Sequence, residues 1–210
     1  MKKELKLYEG WKDITLRQMK ELERIGKENK DDSEFELSCK YISYLYECEA
    51  KNLNFKEFQA YAQSLSFLGE PIPETKLQLD YKVNGTTYKL DINPSAFTAG
   101  QFQDWTIYNQ GEDKDLTNFL SVVLIPENHT YSEGYDMDKV KQDIQDLPMT
   151  VVQNIVSFFS QLSLKYINLT QRYLKRLLKK AKRKMTEEQF TDLESQVQAL
   201  FSHLESYPLS

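Results

Sequence analysis

Two cysteines and two histidines among 210 residues are very few, and neither type occurs in a cluster. That scarcity excludes a disulfide-stapled scaffold and a zinc module built on Cys and His. Seven glycines and six prolines are too few for a loop-dominated sandwich or a long flexible linker. No apolar run approaches the roughly 18 residues that cross a bilayer; "FLSVVLIP" and "VVQNIVSFF" both fall far short. "MKKELKLYEGW" starts basic, but no apolar segment follows, so no secretory signal is expected there. Phosphate-binding glycine loops, nucleophile elbows and Cys/His dyads are missing as well. Present instead are 40% apolar residues, 28% charged residues, 13 Tyr and 11 Phe, enough to fill a core.

Helical spacing dominates the rest. "TLRQ" is a capping box with Thr15 as N-cap and Gln18 three positions on. Leu16, Met19, Leu22 and Ile25 then share a face, Trp11 and Ile14 are placed as a staple, and Gly26 reads as the stop. Ser33 with Glu36 opens a second helix, whose apolar face runs from Phe35 through Leu45 to Cys48. Within it Cys39 and Cys48 would lie on opposite faces, about 13 Å apart along the axis, too far for a disulfide. A third helix is expected from about 54 to 68, with Phe55, Phe58, Ala62 and Leu65 inward, before "GEPIPE" breaks it.

"KLQLDYKV" and "TTYKLDI" alternate apolar and polar residues around Asn84-Gly85, the sequence sign of a type I′ hairpin over 76–92. Thr98 and Gln101 form another capping box, with Phe102, Trp105 and Ile107 or Tyr108 expected to be buried. Asp115 caps "LTNFLSVVLIP", read as a short helix ended by Pro126, and Asp136 or Asp138 opens "KVKQDIQDL". From Met149 to Met185 nothing interrupts a helix whose apolar stripe runs from Val152 through Phe159, Leu169 and Tyr173 to Ala181. Thr186 and Gln189 then cap a last helix carrying Phe190, Leu193, Val197, Leu200 and Leu204, so the chain should end in an antiparallel helical hairpin.

Charge is segregated. Residues 165–184 hold nine Lys or Arg and no acid, leaving 18 basic against 32 acidic residues elsewhere. Three readings compete for that segment: a solvated face, a dock onto acidic protein surface, and binding to nucleic acid or anionic membrane. The net charge of −5 weighs against a polyanion. For chemistry there is little. His129 and His203 have no neighbours at ligand spacing, and Asp104 beside Trp105 is the one acid in an aromatic setting. Phe158, next to Phe159, is either core or an anchor for a partner.

"GWKDITLRQMKEL", "LDINPSAFTAGQFQDW", "LSVVLIPENHTYSEGYD" and "VVQNIVSFF" together resemble small bacteriophage morphogenesis proteins of the tail-assembly-chaperone type, over about residues 8–160. The long basic helix and terminal hairpin depart from that pattern. The resemblance implies a non-enzymatic factor without cofactor or metal, in the host cell cytoplasm or the virion. Its partner would be a tape-measure-like or other phage structural protein, with homo-oligomerisation open. The alternatives are an integral virion or connector component and an enzyme with a carboxylate site around Asp104. The fold expected is α+β and predominantly α-helical: a helical domain over 1–147 with one β-hairpin, then a long C-terminal helical hairpin over 148–210. The expected partner-binding residues are Arg172, Lys175, Arg176, Lys179, Lys180, Lys182 and Arg183, with Phe158 and Trp105.

Overall fold

The computed structural model describes residues 7–108, 115–182 and 186–205, with the side chains of 167, 188 and 199–205 outside that description. Among the described residues eight α-helices and three strands follow one another: α1 (Leu16–Glu28), α2 (Glu34–Leu45), α3 (Phe55–Ser64), β1 (Asp80–Val83), β2 (Thr86–Leu90), α4 (Ala99–Tyr108), α5 (Leu116–Val123), β3 (Leu124–Pro126), α6 (Met137–Ile144), α7 (Met149–Ala181) and α8 (Glu187–Glu205). The chain is mostly helical with a small antiparallel sheet, as expected.

Reciprocal capping boxes open α1 (Thr15/Gln18), α2 (Ser33/Glu36) and α3 (Asn54/Glu57). Each satisfies two donors that a helix start leaves without partners. At α1 the remaining orphans are met from far along the chain. Leu16 N–H donates to the Leu147 carbonyl at 2.9 Å and Arg17 N–H to that of Gln145 at 2.8 Å. Met149 N–H donates to the Ile14 carbonyl at 2.8 Å, so the starts of α1 and α7 are knotted together.

The hairpin turns on Asn84 and Gly85, with φ of +48° and +82°, as a type I′ turn demands. Alternation then buries Tyr81, Val83, Tyr88 and Leu90 on one face. The hairpin is not alone. β3 pairs with β2, placing Pro126 opposite Tyr88 and Leu124 opposite Leu90. The single helix expected from "LTNFLSVVLIP" is therefore two elements: it stops at Val123, and the remaining apolar residues complete the sheet. A continuous apolar run fits either state, and Pro126 is tolerated because β3 is an edge strand.

The core gathers the staple residue Ile14, Ile42 of α2, Leu120 of α5, Ile144 of α6 and Ile155 and Phe159 of α7, all essentially inaccessible. Phe159 meets Phe119 edge to face, with ring centroids 5.6 Å apart. One buried carboxylate sits among these elements. Asp143 accepts from Tyr88 Oη at 2.6 Å, Asn84 Nδ2 at 3.0 Å and Lys139 Nζ at 2.6 Å. Burial alone would push its pKa up, but these donors and the Lys139 charge outweigh it and hold the carboxyl below the ordinary value. The same contact raises the pKa of Tyr88, which burial already pushes up.

Several sequence expectations are corrected. Gly26 does not end α1 but lies inside it, where an added Cβ would stand 3.0 Å from the Tyr41 hydroxyl, so the close approach of α2 accounts for the glycine. Cys48 lies in the turn after α2, not on it, and both cysteines are free. Phe35 and Phe55 face solvent, at 62% and 80% exposure, with Phe35 stacked on Phe58. At α4 the expected face holds in part: Trp105 and Tyr108 are half-buried against the core, but Phe102 and Ile107 are exposed and Gln101 is buried. Gln101 N–H still donates to Thr98 Oγ1, but its side chain turns inward and donates to the Val122 carbonyl at 3.0 Å. That carbonyl stands one residue before the end of α5, where helical partners run out. The "FTAGQFQDW" stretch is thus a helix start whose glutamine ties α4 to α5.

Candidate interaction surface

Along α7 the environment changes at one point. Val152, Ile155, Phe159 and Ser163 are buried, and no described residue after Ser163 is. The apolar spacing nevertheless continues. Leu164, Tyr166, Leu169, Tyr173 and Leu177 are 40–61% exposed. Nine residues named from sequence as partner-binding can now be placed. Arg172, Lys175, Arg176, Lys179, Lys180 and Lys182 stand exposed on this outer part of α7, and Arg183 lies outside the described residues. Phe158 is half-buried on the inner part of α7, packed edge to face on Phe159 at 5.2 Å. Fourteen residues separate it from Arg172, about 21 Å along the axis, so the two do not form one patch. Trp105 is on α4, half-buried between Phe97 and Phe102. Its Nε1 is buried without a partner among the described residues.

α8 folds back on α7, and Thr186 and Gln189 cap its start from both sides. Leu174, Leu178 and Ala181 of α7 face Leu193 and Val197 of α8 across an open apolar groove that Leu177 and Lys180 also line. Lys182 Nζ sits 5.4 Å from the centre of the Phe190 ring, closing the tip by a cation–π contact. At 100° per residue, Arg172, Arg176 and Lys179 fall about 140–160° from the line facing α8, on the far side. Tyr166, Tyr173, Leu177 and Leu169 fall about 60–140° to one flank. Arg172, Arg176, Lys179 and Lys180 make no ion pair with any described residue. The outer helix therefore carries an apolar stripe, bare on one flank, and a cationic back.

No family model, curated protein or solved structure matches this chain.

The carboxylate of Asp104 accepts a hydrogen bond from the Tyr131 hydroxyl at 2.6 Å. Burial, that bond and the acid's charge together raise the Tyr131 pKa. His129 packs against Tyr135, and the His203 side chain lies outside the described residues. No group of three or more His, Cys, Asp or Glu could hold a metal ion among the described residues, and no described helix is long and apolar enough to cross a membrane. Sequence reasoning found the basic run and the stripe separately. That the stripe goes uncovered after Ser163 had no signal, because spacing shows which residues share a face and not what lies against it.

Proposed function

We propose that the chain is a non-catalytic protein-binding factor in phage particle assembly that docks a helical structural partner along the outer part of α7. One observation carries the reading: a helix leaves its core after Ser163 and goes on presenting large apolar side chains beside Arg172, Arg176 and Lys179, which make no ion pair with any described residue. An exposed apolar stripe rimmed by charge is the form of a protein-interaction surface. The cations on the back, Arg172, Arg176 and Lys179, steer and orient an acidic helical partner by matching charge. The rival carboxylate reading loses support from Asp104, whose oxygen is engaged by Tyr131 in a side-chain contact that ties α4 to the 127–136 loop.

The test is recovery of bound proteins from phage-infected cells with the tagged full chain and with an Arg172→Gln, Arg176→Gln, Lys179→Gln variant. The wild type should retain a phage structural protein, and the variant should retain several-fold less with a flatter salt dependence. Recovery of no phage structural protein, or equal recovery by the variant, removes the reading. Mass spectrometry of purified particles then separates a chaperone, absent from them, from a virion component.

A further inference from the structure

We infer that the α7–α8 hairpin pairs side by side with the hairpin of a second copy, closing a four-helix bundle. Two helices alone cannot enclose a core, and here they do not: Leu174, Leu178, Phe190, Leu193 and Val197 are only half-buried where they meet. Outer α7 also has apolar surface in two directions. One line faces α8; the other, Tyr166, Tyr173, Leu177 and Leu169 with Lys180 among them, lies roughly a quarter-turn away. Two apolar lines about 90° apart are what a helix needs when it has two neighbours in a square bundle. α8 supplies the first neighbour, and no other described element covers the second line.

Charge selects the occupant and its direction. Outer α7 is wholly basic, while α8 carries Glu187, Glu188, Asp192, Glu194 and Glu205 and no Lys or Arg. A second hairpin laid alongside with its tip at the same end sets each α7 between its own α8 and the partner copy's α8. The two basic helices then stand on the diagonal. The reversed orientation would press α7 against α7 and bring like charges together. The contact is self-complementary, so it closes at two copies.

Size is adequate. From Leu164 to Ala181 outer α7 is about 27 Å long, and two helices side by side are about 20 Å across. A footprint of roughly 500 Å² per copy sits at the small end of specific interfaces, among weak and reversible contacts. Dimerisation covers the apolar stripe and leaves Arg172, Arg176 and Lys179 outward, so the paired form would offer a docking partner a doubled cationic back, and the stripe itself is open to another protein only in a single copy. The inference does not rest on the docking role, because its readout is mass and needs no phage partner.

Sedimentation equilibrium of the full chain across the micromolar range tests it. The mass should rise from 24.7 kDa to twice that value. Leu169→Glu with Tyr173→Glu should raise the dissociation constant at least tenfold. Because both side chains face solvent in one copy, the melting transition should be unchanged at concentrations where the wild type is monomeric. A wild type that stays monomeric, a mass above two copies, or a double variant that dimerises as tightly as the wild type would overturn the inference.

Discussion

Before Ser163, α7 is packed by α1, α5 and the 11–13 segment; after it, the same apolar spacing runs on with α8 as its main neighbour among the described residues. Val152, Ile155 and Phe159 lose essentially all contact with water, whereas Leu169, Tyr173 and Leu177 keep 41–61% of theirs. The helix itself differs little between the halves, since both lack internal breakers. What differs is what surrounds them. Helical periodicity specifies a face, and burial is decided by whether another element reaches it.

The sharpest way to break that comparison is to truncate one aromatic in each half. Phe159→Ala should cost about 3–5 kcal/mol, because it removes the ring from Phe119 and leaves a cavity. Urea denaturation would register it as a large drop in midpoint at constant slope. At protein concentrations where the chain is monomeric, Tyr173→Ala should stay within about 0.5 kcal/mol, as exposed sites do. Equal losses at the two positions would mean that the outer half is covered after all.

Next in size is Asp143→Ala, which strands the buried Tyr88 Oη, whereas Asn84 Nδ2 keeps Asp146 and Lys139 Nζ keeps Thr86 and solvent; a loss of about 2–3 kcal/mol is expected in the same measurement. Its acid dependence can be assigned a sign. The folded carboxyl titrates below its unfolded value. Its stabilisation is therefore complete above the ordinary carboxylate pKa of about 3.9 and is lost as pH falls through the lower folded value. Thermal melts taken down through that window should show a steep decline in the wild type and a shallower one in Asp143→Asn. Gln101→Leu should cost about 1–2 kcal/mol by leaving the Val122 carbonyl without its donor. Smallest is Gly85→Ala, about 1 kcal/mol, because φ of +82° disfavours a side chain.

Local chemistry was legible wherever it is self-contained. The boxes at Thr15, Ser33 and Thr186 and the Asn84-Gly85 turn each involve four residues or fewer, and each forms in the structure as its residues dictate. What escaped involves a distant partner. β3 exists because β2 offers it an edge, Gln101 turns inward because Val122 leaves a carbonyl open, and Gly26 is small because Tyr41 of α2 arrives there. The candidate surface divides the same way. Its cations were visible as composition, and its bare stripe depended on how far α1 and α5 extend.

The knot between Ile14–Arg17 and Gln145–Met149 has a consequence for how the polypeptide matures. Two backbone donors at the start of α1 wait for carbonyls some 130 positions later, so contacts of very long sequence separation seal the domain. On a ribosome, the first helix must remain unsealed until the α6–α7 junction has emerged. The outermost turns of α7 and all of α8 are synthesised after that junction, so the domain can close before the hairpin is complete.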